Sequence, residues 1–159
     1  MFKPQIFTQV PTLEVLPRPD YWAVKVPLVW ESPQLTLTIP VGFITDLASI
    51  PKVFRNILDV DGRSREPAIL HDWLYNTQHT TRAFADAMLR EALLEYGETQ
   101  ATAWVYYAGV RIGGWAPWDA RQQRGGGLQP DDFDTPEDYL AAMAVEGNQQ
   151  QPTPTSVNS

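Results

Sequence analysis

The sequence predicts an α+β fold, a small antiparallel sheet in the N-terminal third packed on a helical hairpin plus a third helix. Three observations predict it. The first fifty residues are rich in aromatic and β-branched side chains and include a stretch of period-two alternation. The middle of the chain switches to helical spacing, divided into segments by caps and glycines. Residues 148–159 are uncharged and too poor in apolar side chains to bury anything, so they read as a disordered tail.

Each element follows in order. Tyr21 to Trp30 reads as a strand, and Pro27, which has no ladder donor, makes it an edge strand or one broken by a bulge. Leu35 to Ile39 alternates apolar with polar; Pro40 and Gly42 punctuate, and Phe43-Ile44-Thr45 resumes an extended pattern ending at Asp46. Ser49 is placed to cap a short helix carrying Val53, Phe54 and Ile57, with Pro51 in its first turn. Asp59 to Gly62 is turn chemistry. Ser64 then caps a helix whose stripe of Ile69, Leu70, Trp73 and Leu74 runs to about Thr77. A second helix starts at Thr80 or Thr81 and ends at Gly97, with Phe84, Met88, Leu89, Ala92, Leu93 and Tyr96 on its buried side. A third runs from about Thr99 to Arg111 and stops at Gly113-Gly114; Trp115 and Trp118 follow, then a loop at Gly125-Gly126-Gly127. Thr135, Pro136 and two acids start a last short helix that ends by Gly147. The expected organisation is therefore one domain over residues 1–120, a loop and short helix over 121–147, and the tail.

Composition narrows the function. A chain of 159 residues can bury one core without a staple. The absence of cysteine removes disulfides, thiolate nucleophiles and cysteine-held metals. A net charge of −7 with twelve Lys plus Arg is a poor match to nucleic acid, and the acidic balance is that of a solvated surface. No segment reaches the roughly 20 apolar residues of a membrane span, and no apolar run of signal-peptide length follows Met1, so the expected location is the cytosol.

The residues with chemical potential lie on the helical hairpin. His71 stands about 9 Å before the turn along one helix and Asp86 about 8 Å after it along the next, at the standard rise per residue. Packed helices are roughly 8 to 10 Å apart, so an imidazole and a carboxylate at matching height can share a hydrogen bond. Tyr75, one turn from His71, faces the same carboxylate, while Asp72 points about 100° away and is a candidate metal ligand beside the base. Asp46, at a strand end, is a second candidate ligand. Base, orienter and Lewis acid together equip a site to activate water against an ester or amide, with a divalent ion, calcium or zinc, as cofactor. Each residue also has a purely structural reading: a His–Asp pair ties two helices together, Tyr75 packs with a bonded hydroxyl, and Asp46 caps a turn. His79, in the turn, is expected in solvent, and Ser49 lacks the elbow motif of a nucleophile.

Four blocks carry a resemblance: Gly42 to Pro51, Leu70 to Tyr75, Arg82 to Asp86, and Tyr106 to Arg111. Together they resemble a phage and prophage family known as domain of unknown function 1353, over about Tyr21 to Trp118. That resemblance implies a viral origin, with the host cytoplasm or the virion as location, but no established activity. The pattern His71-Asp72-x-x-Tyr75 followed by Ala85-Asp86 is also similar, more weakly, to phospholipases A2 of the disulfide-free parvoviral kind. By that likeness His71 would be the base for water, Asp86 its partner, Asp72 a calcium ligand and Tyr75 a support for Asp86. This sequence departs from that pattern in having no Gly-rich loop before the first helix.

Two functions are therefore expected. One is a phage-encoded, metal-assisted hydrolase of an ester or amide, with His71, Asp86 and Tyr75 catalytic and Asp72 and Asp46 on the metal. The other is a non-enzymatic phage protein, a tail or virion assembly component or an inhibitor that binds a host protein, with Trp115 and Trp118 as candidate anchors.

Overall fold

Strand-forming residues in the first third of the chain build two antiparallel sheets where the sequence suggests one. The computed structural model describes residues 13–17, 21–33, 36–46 and 63–149. β1 (Leu13–Val15), β2 (Trp22–Val24) and β5 (Ile44–Thr45) form one sheet in the order β1-β2-β5, and β3 (Leu28–Glu31) pairs with β4 (Thr36–Ile39) in the other. Pro27 explains the difference. With no backbone N–H to donate, it divides the Tyr21 to Trp30 run into β2 and β3, and the two halves pair with different partners. In the hairpin, Leu28 opposes Ile39 and Trp30 opposes Leu37, which puts the alternating apolar side chains of both strands on one face. β1 is too short and too exposed to have left a hydrophobic signature in the sequence.

Among the described residues five α-helices follow: α1 (Arg65–Thr77), α2 (Arg82–Glu95), α3 (Gln100–Gly113), α4 (Trp115–Gln123) and α5 (Pro136–Gln149). Ser64 stands at the N-cap of α1 without a side-chain bond to the first turn, whereas Thr81 and Thr99 accept from Phe84 N and Thr102 N and cap α2 and α3. Gly97 ends α2 as the spacing predicts. Its φ of 87° suits glycine, and the bonds Glu98 N to Leu93 O and Gly97 N to Leu94 O close the helix and redirect the chain into α3. α4 is a helix the sequence hides, because Gly113-Gly114 and Pro117 look like breakers. Pro117 falls in the first turn, where its missing N–H costs nothing. α5 is capped by Thr135, whose Oγ1 accepts from Asp138 N, and continues past Gly147. The expected Ser49-capped helix, the Asp59 to Gly62 turn and the tail from residue 150 onward lie outside the described residues.

α1 is the hub. One cluster places Ile69 and Trp73 of α1 against Val24, Leu28 and Ile39 of the sheets and Phe43 just before β5, and a second places Leu70 and Leu74 against Trp30 and the α2 residues Ala85, Met88 and Ala92. A third, between α2 and α3, holds Leu89, Leu93, Ala103, Tyr106 and Val110. Residues beyond 120 do not stand apart from this core. Leu128, Phe133 and Ala142 belong to the first cluster, and Arg121 holds Asp132 through two bonds of 2.6 and 2.7 Å. Among the described residues no helix is long and apolar enough to cross a membrane.

Candidate functional site

From Pro67 to Tyr75 every residue of α1 is buried. A helix covered on all sides is expected to be apolar all round, yet this one carries His71 and Asp72 inward, and buried polar groups need partners. The two neighbours find theirs in opposite directions. His71 faces α2: its Nε2 lies 2.9 Å from Asp86 Oδ1, and the hydroxyl of Tyr75, one turn on, donates to the same oxygen at 2.6 Å. Asp72 faces the sheet, where its Oδ2 accepts from Thr45 Oγ1 of β5 at 2.5 Å.

Two arginines complete the environment of Asp86. Arg111, near the end of α3, donates to Oδ2 at 2.8 Å, and Arg82, one turn before Asp86 on α2, reaches the same oxygen at 3.4 Å. Arg82 Nη1 also meets the carbonyls of Val110 and Arg111 at 3.3 Å, so it ties the end of α3 to the hairpin. The Tyr75 ring stacks at a tilt on His71 with centroids 4.2 Å apart, and Trp118 of α4 meets Tyr75 edge-on at 5.1 Å. Three helices thus converge on one carboxylate that accepts four donors.

The electrostatics follow from burial. Desolvation pulls His71 below the ordinary imidazole value and outweighs the hydrogen bond to Asp86, which acts in the opposite sense. The ring is accordingly neutral, with the proton on Nε2. Burial pushes Asp86 up, but hydrogen bonds from His71, Tyr75 and Arg111 outweigh it and hold the carboxyl below the ordinary carboxylate range. Tyr75 is held protonated by burial and by its bond to Asp86. The second imidazole nitrogen, Nδ1, is buried with no hydrogen-bond partner.

The structure therefore brings together the three expected catalytic residues, His71, Asp86 and Tyr75. It seals them: the side chains of His71 and Asp86 are both 0% exposed. Asp72 and Asp46 do not join them. Asp46 follows β5 and is partly buried, and among the described residues no three His, Asp or Glu side chains form a group that could hold a metal ion. Of the candidate anchors, Trp115 is 59% exposed while Trp118 is buried. His79 is exposed as expected, with Nε2 3.6 Å from Glu146 Oε1 of α5, and Ser49 is outside the described residues.

Sequence reasoning missed Arg82 and Arg111 as members of the network. Arg82 was legible, because an Arg four residues before an Asp on one helix lies on the same face. Arg111 was not, since its approach depends on how α3 docks across α2.

No curated protein and no solved structure matches the chain. A family model does, and the residues it matches, 22–110, take in Asp46, both members of the His71–Asp86 pair, Tyr75 and Arg82, and stop one short of Arg111. With more than half of its length matched, the chain belongs to the family described as protein of unknown function (DUF1353).

Proposed function

We propose that this chain is a non-enzymatic phage protein that docks onto a protein partner, in the virion or in the host, through the outer face of α3 and the start of α4. One observation carries the reading. Ala101, Trp104, Val105, Ala108, Ile112 and Trp115 recur at spacings of three, one, three, four and three residues, which is one face of a continuous helical path, and all six are exposed. Trp104 is 53% exposed and Ile112 73%. Scattered apolar residues on a surface need no explanation, but a contiguous stripe with two tryptophans does.

Charge singles out the same stretch. The protein carries 19 acidic residues, yet from Thr99 to Trp118 there is none, and Arg111 is the one cation. Charge is depleted at the centre of protein interfaces because desolvating it is costly. Arg90 of α2 lies over the Trp104 ring at 4.6 Å and holds that side chain in place. The burial of His71 and Asp86 supports the same choice over hydrolysis, since general base catalysis needs the imidazole within hydrogen-bond reach of the attacking water.

The test pits face against network in the phage that encodes the chain. A Trp104→Glu, Ile112→Glu double variant, folded by circular dichroism, is expected to reproduce the phenotype of deleting the gene. His71→Gln, if folded, is expected to retain the parental phenotype. The opposite pattern, with loss in His71→Gln and full function in the face variant, overturns the reading and returns the hairpin to chemistry.

A further inference from the structure

A cleft of about 310 Å³ opens between the β3-β4 hairpin, the C-terminal end of α1, the α1–α2 turn and α5. Small-molecule sites run from roughly 300 to 1,000 Å³, so the cleft is at the small end of that range. It shares no residue with the outer face of α3. Its apolar walls include Leu37, Val41, Trp73 and Val145, and its polar groups include Thr80, His79 and Glu146. Two of these, Thr80 and Glu146, bear on what the cleft would hold. Thr80 Oγ1 is buried and has no hydrogen-bond partner, which is uncommon in a folded chain. Glu146, whose side chain is only 16% exposed, faces His79 at 3.6 Å, a base that supplies a counter-charge only when protonated.

The geometry points to a binding site for a small molecule with an apolar ring or chain and one protonated amine, the body against Trp73 and Val145 and the ammonium between Glu146 and Thr80 Oγ1. A cation there would pair the largely buried carboxylate and donate to the orphaned hydroxyl with the same group. An ammonium has three donors, enough to pair the Glu146 carboxylate and reach the Thr80 hydroxyl oxygen at once. Burial alone pushes Glu146 above the ordinary carboxylate value, the sign of a charge short of compensation. A carboxylate ligand would meet Glu146 as a like charge, and a neutral one would leave it unpaired.

The probe is 2-phenylethylamine, with 3-phenylpropionate as an acid of similar size, titrated into the full chain and followed by NMR of the His79 ring and the Thr80 amide. The amine is expected to shift both signals saturably in the range of about 1 to 10 mM, as befits a fragment. Glu146→Gln is expected to weaken it by about tenfold or more, and the acid to bind at least that much more weakly than the amine. Val145→Trp, a change on the exposed side of α5, is expected to fill the cleft and abolish the shifts. Equal binding of acid and amine overturns the assignment, as does undiminished affinity in either variant or the absence of saturable shifts. None of these outcomes touches the α3 face, so this site and the docking surface stand or fall separately.

Discussion

On its inner side α3 delivers Arg111 to a carboxylate sealed between helices, whereas on its outer side it holds Trp104, Ile112 and Ala108 in solvent. The first face buries charge and the second exposes apolar surface, so both run against the usual partition. They differ in what compensates them. Asp86 accepts from His71, Tyr75, Arg82 and Arg111, and its burial is balanced within the chain. Even with Arg90 over its ring Trp104 is 53% exposed, and Ile112 is 73% exposed. Compensation inside the fold is what a structural device would show, and its lack is what the proposed docking face rests on.

The sharpest way to break this comparison is to remove the carboxylate. Asp86→Ala leaves two arginines, a tyrosine and a buried imidazole without their acceptor, and should destabilise by about 3–5 kcal/mol in urea melts, as for one partner of a buried ion pair. A loss under 1 kcal/mol, about what an ordinary surface site gives, would mean that the network is not structural. Gly114→Ala probes the same seal from α4. An added Cβ would lie 2.3 Å from the Tyr75 hydroxyl and 2.4 Å from the carbonyl of Val110, and the overpacking should cost about 1–3 kcal/mol by the same melts.

Titration gives a smaller effect with a definite sign. His71 takes up its proton near 6.5 when unfolded but at a lower pH when folded, so the unfolded chain binds more protons below 6.5. Stability due to His71 is fully present above that pH and should fall as the pH drops through the window beneath it, by up to about 1.4 kcal/mol per unit for one proton. Asp86, whose folded value lies below 3.8, adds its own loss only beneath that point. Denaturant melts of the parent and His71→Asn between pH 7 and 5 check this; equal slopes in the two proteins would refute it. The smallest effect belongs to the outer face. Trp104→Ser should change stability by no more than about 0.5 kcal/mol while removing a proposed docking anchor, and a larger loss would show that Trp104 is part of the core after all.

Much of this was legible in sequence because it is local. Thr135 caps the helix it was expected to cap, the second and third helices begin beside Thr81 and Thr99 as expected, and Gly97 closes α2, since each of these depends on a few consecutive residues. The His71–Asp86 pair was legible as well, because a short turn between two helices fixes their relative height. Arg111 and the split of the sheet were harder. One depends on the docking of a helix that is not adjacent to His71 in the chain, and the other on which partner each half of a strand run selects. α4 was missed because Pro117 and the paired glycines signal a break, and only the observed first turn shows that the proline is tolerated there.

Local pattern alone was enough for the α+β class, the approximate bounds of α1, α2 and α3 and the meeting of an imidazole with an acid across a hairpin, because spacing and capping are properties of consecutive residues. Whether that meeting place admits water was decided by tertiary packing. Tyr75, Trp118 and the arginines close over it, and exposure is a property of everything that surrounds a residue, which no local pattern encodes.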